Sequence, residues 1–275
     1  MKTIKLQLLI LSILLFNIAS YSQTISGRVL EVGTKKPIAY VNIGIPGKNI
    51  GTVSDSSGYF TIKNKESNIN DTLKFSCIGY ESINLNTNVL TGKSNYEVLM
   101  DKMIYKLQEV VVKPLPKSKI KVLGKTGYSR IMQIGSKCTQ PGSEIGVLFR
   151  NKQTLSIQKV NLYCSSDCKD EVLFRINMGD EKDGQPSKSI LKKPIILKYR
   201  FKKGDNFFDL SEYNIVVSED FFLSYELISL LKDRYGPQFG VSILGTKSLW
   251  RYTSQANWGK FPASISFSLN IIKLK

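Results

Sequence analysis

The sequence predicts an all-β protein of two β-sandwich domains behind a signal peptide, and three observations carry that prediction. Apolar and polar residues alternate over strand length in segment after segment, turn clusters of Gly, Asn, Asp and Ser fall between them, and helical periodicity is almost absent. The roughly 250 residues beyond the leader have room for two domains or one large β domain.

Residues 1–22 form the leader. Lys2 and Lys5 give a positive start, Leu8 to Ile18 is apolar, and Ser20 and Ser22 are small residues where a signal peptidase reads. The run is shorter than the ~18 apolar residues that a membrane span needs. We therefore expect cleavage before Gln23 and export, with an uncleaved anchor helix as the other reading. No Cys follows the run to carry a lipid.

The first domain is expected over 23–112. Ile25, Gly27 and Val29 alternate with polar neighbours, Tyr59 and Thr61 with Phe60 and Ile62, and Leu73 to Tyr80 closes the stretch. Asp55-Ser56-Ser57-Gly58 is a turn by its chemistry: Asp accepts from its own backbone and Gly takes a positive φ. Gly27, Gly51 and Gly79 are candidates for bulges or close backbone approach. Asn95 to Met100 reads as a last strand, and Leu107 to Val112 as a further strand or a linker strand.

The pattern "ISGRVLEVGTKKPIAYVNIGI…GTVSDSSGYFTI…DTLKFSCIGYES", covering about residues 24–101, resembles the carboxypeptidase-like regulatory domain family. That resemblance implies a transthyretin-like (prealbumin-like), seven-stranded sandwich that serves as an accessory module, on carboxypeptidases or at the start of TonB-dependent outer-membrane transporters. It does not imply catalysis. The residues after Val112 are too few for a plug and a barrel of about 22 strands, so a transporter is not expected.

Lys113-Pro114-Leu115-Pro116-Lys117 opens a Pro/Lys linker expected over 113–125. The second domain is expected over 126–275. Strands are predicted at 144–150, 155–163, 172–177, 194–201, 213–217, 221–228, 239–244 and 265–272. Segments such as "EVLFRINM" and "NFFDLSEYNI" resemble jelly-roll or galactose-binding-like sandwiches. A small outer-membrane barrel shows the same alternation, but lysines such as Lys198 and Lys203 along the strands speak against it.

Composition excludes several chemistries. The chain has no histidine, so it can form neither a Ser-His-Asp or Cys-His nucleophile pair nor a His-ligated zinc site. Zinc carboxypeptidase activity is thereby excluded. The formal net charge is +17; in an exported protein this favours anionic lipid or polysaccharide over nucleic acid, or is simply a solvated Lys-rich surface. No cofactor and no metal is expected: Asp180-Glu181-Lys182-Asp183-Gly184 lacks the alternating spacing of a calcium loop and reads as a solvated loop.

Two clusters are candidate sites. Trp250, Arg251 and Tyr252 with Trp258 supply aromatic faces beside a guanidinium, as a sugar-binding platform requires; both Trp residues also suit the packing of a core. Cys164 and Cys168 are disulfide candidates, with Cys138 as an alternative partner, since export permits bridges. Cys77 reads as a small buried hydrophobe. Asp209 and Glu212 are the nearest approach to an acid pair and read as a strand-turn capped at Ser211.

The expectation is therefore an exported, non-catalytic protein of the periplasm, outer-membrane surface or cell exterior, in peripheral contact with membrane at most. Its first domain would be an interaction module and its second would meet an envelope protein or a glycan. The competing reading is a carbohydrate-active enzyme with a carboxylate site in the second domain.

Overall fold

The computed structural model describes residues 23–64, 71–90, 96–103, 119–126, 129, 132–135, 140–229, 236–243 and 245–274. The leader, the Pro/Lys run through Ser118, the Leu107–Val112 segment and Cys138 lie outside the described residues.

The first unit contains β1 (Gln23–Glu31), β2 (Asn42–Gly44), β3 (Gly51–Val53), β4 (Tyr59–Asn64), β5 (Thr72–Ser76), β6 (Ile83–Asn86), one helical turn at Thr87–Leu90, and β7 (Tyr96–Met100). They form two sheets, β4-β1-β7 and β3-β2-β5-β6. The β1–β4 pair is antiparallel and the β1–β7 pair parallel. Alternation dictates the core: Ile25 and Val29 of β1, Phe60 and Ile62 of β4, Ile43 of β2 and Leu73 and Phe75 of β5 are all buried in one cluster. Phe60 meets Phe75 edge-on at 5.4 Å. Seven strands in two facing sheets match the expectation, and the expected turn forms by the expected chemistry. Asp55 Oδ1 accepts the N–H of Ser57 and of Tyr59 at 2.8 and 2.9 Å.

The second unit begins with β8 (Lys121–Gly124), β9 (Gln133–Gly135), β10 (Glu144–Phe149), β11 (Leu155–Leu162), β12 (Val172–Lys182), β13 (Gln185–Ser189), β14 (Ile195–Tyr199) and β15 (Phe207–Asp209). It continues with β16 (Ile215–Val217), β17 (Phe221–Leu227), β18 (Gln238–Ser242), β19 (Ser248–Arg251), β20 (Gly259–Phe261), β21 (Ser264–Ile265) and β22 (Phe267–Lys273). One sheet runs β13-β12-β17-β10-β19-β20 with β14 also on β12; the other runs β15-β11-β22-β8 with β16 also on β11. A short sheet β21-β18-β9 accompanies them. Phe174, Ile176, Leu223, Tyr225, Ile157, Val160, Phe267 and Leu269 meet in a shared apolar core. The described sheets are open and face one another, as in a sandwich rather than a barrel.

One boundary differs from the sequence reading. Lys121 to Gly124, placed in the linker, pair with β22 as its outer neighbour. The lysines at this end concealed a strand, because an edge strand needs only one buried face, here that of Leu123. The second unit thus starts before residue 126.

Candidate functional site

β17 reads Phe-Phe-Leu-Ser-Tyr-Glu-Leu, and every residue of it is buried. Leu223, Tyr225 and Leu227 face the sandwich core. By the period of a strand, Phe222, Ser224 and Glu226 point to the opposite face. There they join Glu144 of β10, Arg175 and Asn177 of β12 and Arg251 of β19, whose registers with β17 and β10 set them side by side.

This outer face is a buried polar network. Arg175 Nη1 donates to Glu226 Oε2 at 3.1 Å, and Asn177 Nδ2 bridges Glu226 Oε2 at 2.7 Å and Glu144 Oε1 at 2.9 Å. Ser224 Oγ also donates to Glu144, and Arg251 closes an ion pair with Glu144 from the other side. Glu226 is fully buried and Arg175 and Glu144 nearly so. Each carboxylate faces a guanidinium, as charges removed from water must. Arg175 Nε and Glu226 Oε1 have no partner among the described residues.

The first unit supplies the cover. Arg175 Nη1 reaches Asn42 Oδ1 at 3.0 Å, and Nη2 donates to the Tyr40 carbonyl. Tyr40 holds that carbonyl in place with a positive φ of 58°. Ile78 packs against the second unit's core. The Cys77 thiol lies within electrostatic reach of Arg175 and Glu226, and burial pushes it up from its ordinary pKa.

The second clasp is the loop 253–257 between β19 and β20. Gly47 N–H donates to the Gln255 carbonyl at 3.0 Å, Gln255 Nε2 to Ser76 Oγ at 2.8 Å and Asn257 Nδ2 to the Gly47 carbonyl at 3.1 Å. Ser254 O lies where a Cβ on either Gly44 or Gly51 would stand. Both glycines are thus required by close approach, as foreseen for Gly51 alone.

The four residues of the aromatic cluster are divided by the strand period. Trp250 and Tyr252 share one face, in edge-on contact at 4.6 Å; Trp250 leans on the sandwich core and Tyr252 is 60% exposed. Arg251 points the other way, its guanidinium 4.8 Å over the ring of Trp258. Trp258 is half-buried and packs against Leu148, Phe222 and Leu249. The cluster therefore has an open aromatic pair on one face and, on the other, a Trp–Arg pair that continues into the buried network.

The cysteine candidates are not bridged to each other. Cys164 is a free thiol at full burial, with its pKa pushed up by burial and by the neighbouring Cys168. Both lie among Phe174, Phe201 and Phe239 in the core, where they fill volume. Asp209 accepts from Ser211 N–H at 2.9 Å and Ser211 Oγ at 2.6 Å. These bonds to Ser211 hold its carboxyl below the usual range; the strand-turn is there, with Asp209 rather than Ser211 as the acceptor. Among the described residues no cluster of His, Cys, Asp and Glu can hold a metal.

Sequence reasoning missed Glu144, Arg175, Asn177, Ser224, Glu226 and Asn42. Arg175 in "VLFRINM" and Glu226 in "FFLSYEL" stand at positions that alternation assigns to solvent. The signal that something covers them lies in no local pattern.

Fold and site together define two β-sandwich units clasped through a buried ion network. Residues 25–112, which take in the first unit, match the family model of the CarboxypepD_reg-like domain, as the sequence resemblance implied. No curated protein matches the chain. Among solved structures, the cysteine protease and lectin-like domains of Cwp84, a surface layer associated protein of Clostridium difficile, are similar at 10% identity and a TM-score of 0.42, over 94% of this chain and 60% of that one. A structure of infectious bursal disease virus, Gx strain, is similar at 10% identity and a TM-score of 0.27, over 90% of this chain and 70% of that one. The chain thus spans about 60% of the length of the first of these.

Proposed function

We propose that this is an exported, non-catalytic protein of the cell envelope whose CarboxypepD_reg-like domain and second β domain act as one interaction module. The second domain meets the protein or glycan partner. The observation that carries this reading is the hairpin β19–β20. Its loop 253–257 is bonded to the first unit at Gly47 and Ser76, while Tyr252 stands 60% exposed against Trp250. A stacking surface with a fixed root loses little freedom on binding.

The paired carboxylates Glu144 and Glu226 favour the same reading over an enzyme. Both are buried and each faces a guanidinium, whereas glycoside hydrolysis needs two carboxyls open to the sugar. The test is binding of the mature protein to a glycan array and to separated envelope proteins, with Tyr252→Ala alongside. Loss of a stacking ring is expected to weaken retention about 3- to 10-fold. Binding left unchanged by Tyr252→Ala would remove the platform, and silence towards every glycan and envelope protein would remove the module reading.

A further inference from the structure

Residues 185–203 carry Lys188, the Lys192–Lys193 pair, Lys198, Arg200 and the Lys202–Lys203 pair, and no carboxylate. All seven cations are exposed. β13 pairs with β12 over Gly179–Lys182 and β14 over Val172–Ile176. The two strands therefore lie end to end along one edge of the sheet. β12 has 11 residues, so this edge runs for roughly 35 Å at ~3.3 Å per residue.

Few of the neighbouring carboxylates pair with it directly. Among the described residues only Glu171 comes within ion-pair range of one of these cations, at 2.9 Å from Lys198. Asp167 accepts the backbone N–H of Lys203, Asp180 that of Lys188 and Glu181 that of Gly184. Asp205 accepts from Asn161, on the other sheet. Lys193 sits 4.7 Å over the ring of Tyr213. Lysines on an edge strand are an ordinary guard against edge-to-edge pairing. That role accounts for Lys188 on β13 and Lys198 on β14 but not for the two Lys pairs in the loops beside them, where there is no strand edge to guard.

We propose that this edge is a binding surface for a linear acidic polysaccharide. A row of cations mostly without direct ion-pair partners over such a length repels itself, and a chain of regularly spaced carboxylates or sulfates relieves the repulsion while releasing counterions. A sugar chain fits better than a lipid surface. No large apolar side chain within 185–203 is exposed; the nearest is Phe207 of β15, 54% exposed. β15 belongs to the other sheet, and Phe208, not Phe207, is the residue that meets Tyr199. The edge therefore offers no apolar surface with which to anchor in a bilayer. The inference rests on the reading of the second domain as the glycan-facing one, but uses a surface separate from Tyr252.

The experiment measures binding of the mature protein to polygalacturonate, neutral dextran and phosphatidylglycerol vesicles across a salt series. One variant combines Lys188→Gln, Lys192→Gln, Arg200→Gln and Lys202→Gln. A control removes four exposed cations elsewhere, by Lys36→Gln, Lys63→Gln, Lys121→Gln and Lys273→Gln. We expect polygalacturonate to bind and dextran not to. The edge variant should bind at least about 10-fold more weakly near 0.15 M salt, with a shallower salt slope, while the control changes less than about 3-fold. Unchanged melting temperatures would show both variants folded. Equal weakening in the two variants would show diffuse charge and overturn the proposal, as would no binding to polygalacturonate or stronger binding to vesicles. Tyr252→Ala should leave polygalacturonate binding intact, so the edge and the aromatic platform fail separately.

Discussion

Replacing Arg175 by Met strips a buried carboxylate of its partner. Glu226 is 0% exposed and is held by Arg175 Nη1 at 3.1 Å and Asn177 Nδ2 at 2.7 Å. Without the guanidinium the charge stays in the protein interior with one neutral donor. Breaking a buried pair in this way costs about 3–5 kcal/mol. The Tyr40 carbonyl and Asn42 lose their donor in the same step. In urea, with a slope of about 2–3 kcal/mol/M, the midpoint should fall by about 1–2 M, and the first unit should loosen from the second. Adding Glu226→Leu should restore more than half the loss, since an apolar pair of similar volume is often as stable as the ion pair it replaces. Lys35→Met is the control: Lys35 and Glu97 are each 57% exposed, and an exposed pair contributes next to nothing. The reasoning is refuted if Arg175→Met shifts the midpoint no further than Lys35→Met, or if the double variant is no better than the single one.

Three other outcomes follow from the geometry. Gly44→Ala sets a Cβ against Ser254 O, backbone against backbone; it should cost about 1–3 kcal/mol and expose the loop 253–257 to limited proteolysis, whereas Gly33→Ala, with open space around it and only its φ of 82° to strain, should leave that loop protected. Asp220 accepts the Asn151 N–H at 2.7 Å and pairs with Arg150, and these bonds hold its carboxyl below the ordinary 3.8. A depressed folded pKa means stability that is complete above about pH 4 and lost as pH falls through the lower folded value; Asp220→Asn should therefore lower the melting temperature at pH 7 and flatten the acid side of the stability profile. Native protein treated with iodoacetamide should leave Cys164 unmodified, because burial both shields the thiol and raises its pKa; peptide mapping that finds Cys164 alkylated without denaturant would contradict the packing.

What the sequence made legible was whatever depends on neighbours along the chain. The sandwich core of the first unit followed from alternation around Val29, Phe60 and Phe75, and the turn at Asp55–Gly58 from side-chain chemistry. β10, β12 and β17 could be read in the same way, each with apolar residues at every second position, and β11 likewise on either side of a bulge between Ile157 and Lys159. The hairpin between β12 and β13 is equally local: Asp183 and Gly184 both take positive φ, 55° and 75°, as a two-residue turn before Gln185 demands. The acidity of that stretch and its failure to match calcium-loop spacing point to a loop without naming the turn. The site was less legible because its physics is not local. Arg175 and Glu226 stand 51 positions apart, and Arg175 and Tyr40 135 apart. Strand alternation sends both charges outwards; only the arrival of the first unit makes that direction an interior.

The same covering explains why the aromatic hairpin and the ion network are one construction. Arg251 is the shared member: its guanidinium lies over Trp258 and pairs with Glu144, and Glu144 is tied through Asn177 to Glu226 and so to Arg175 and the Tyr40 carbonyl. Polar contacts therefore run from the root of the exposed Tyr252 to the first unit by two routes, one through these side chains and one through the backbone of loop 253–257. An apolar interface of equal area would hold the units together but tolerate sliding, since its energy depends on area and little on direction. Charged hydrogen bonds to a fixed carbonyl fix an angle as well. A surface whose partner must meet both units, or the aromatic pair and the basic edge at once, gains from that fixed angle, because the geometry is settled before the partner arrives.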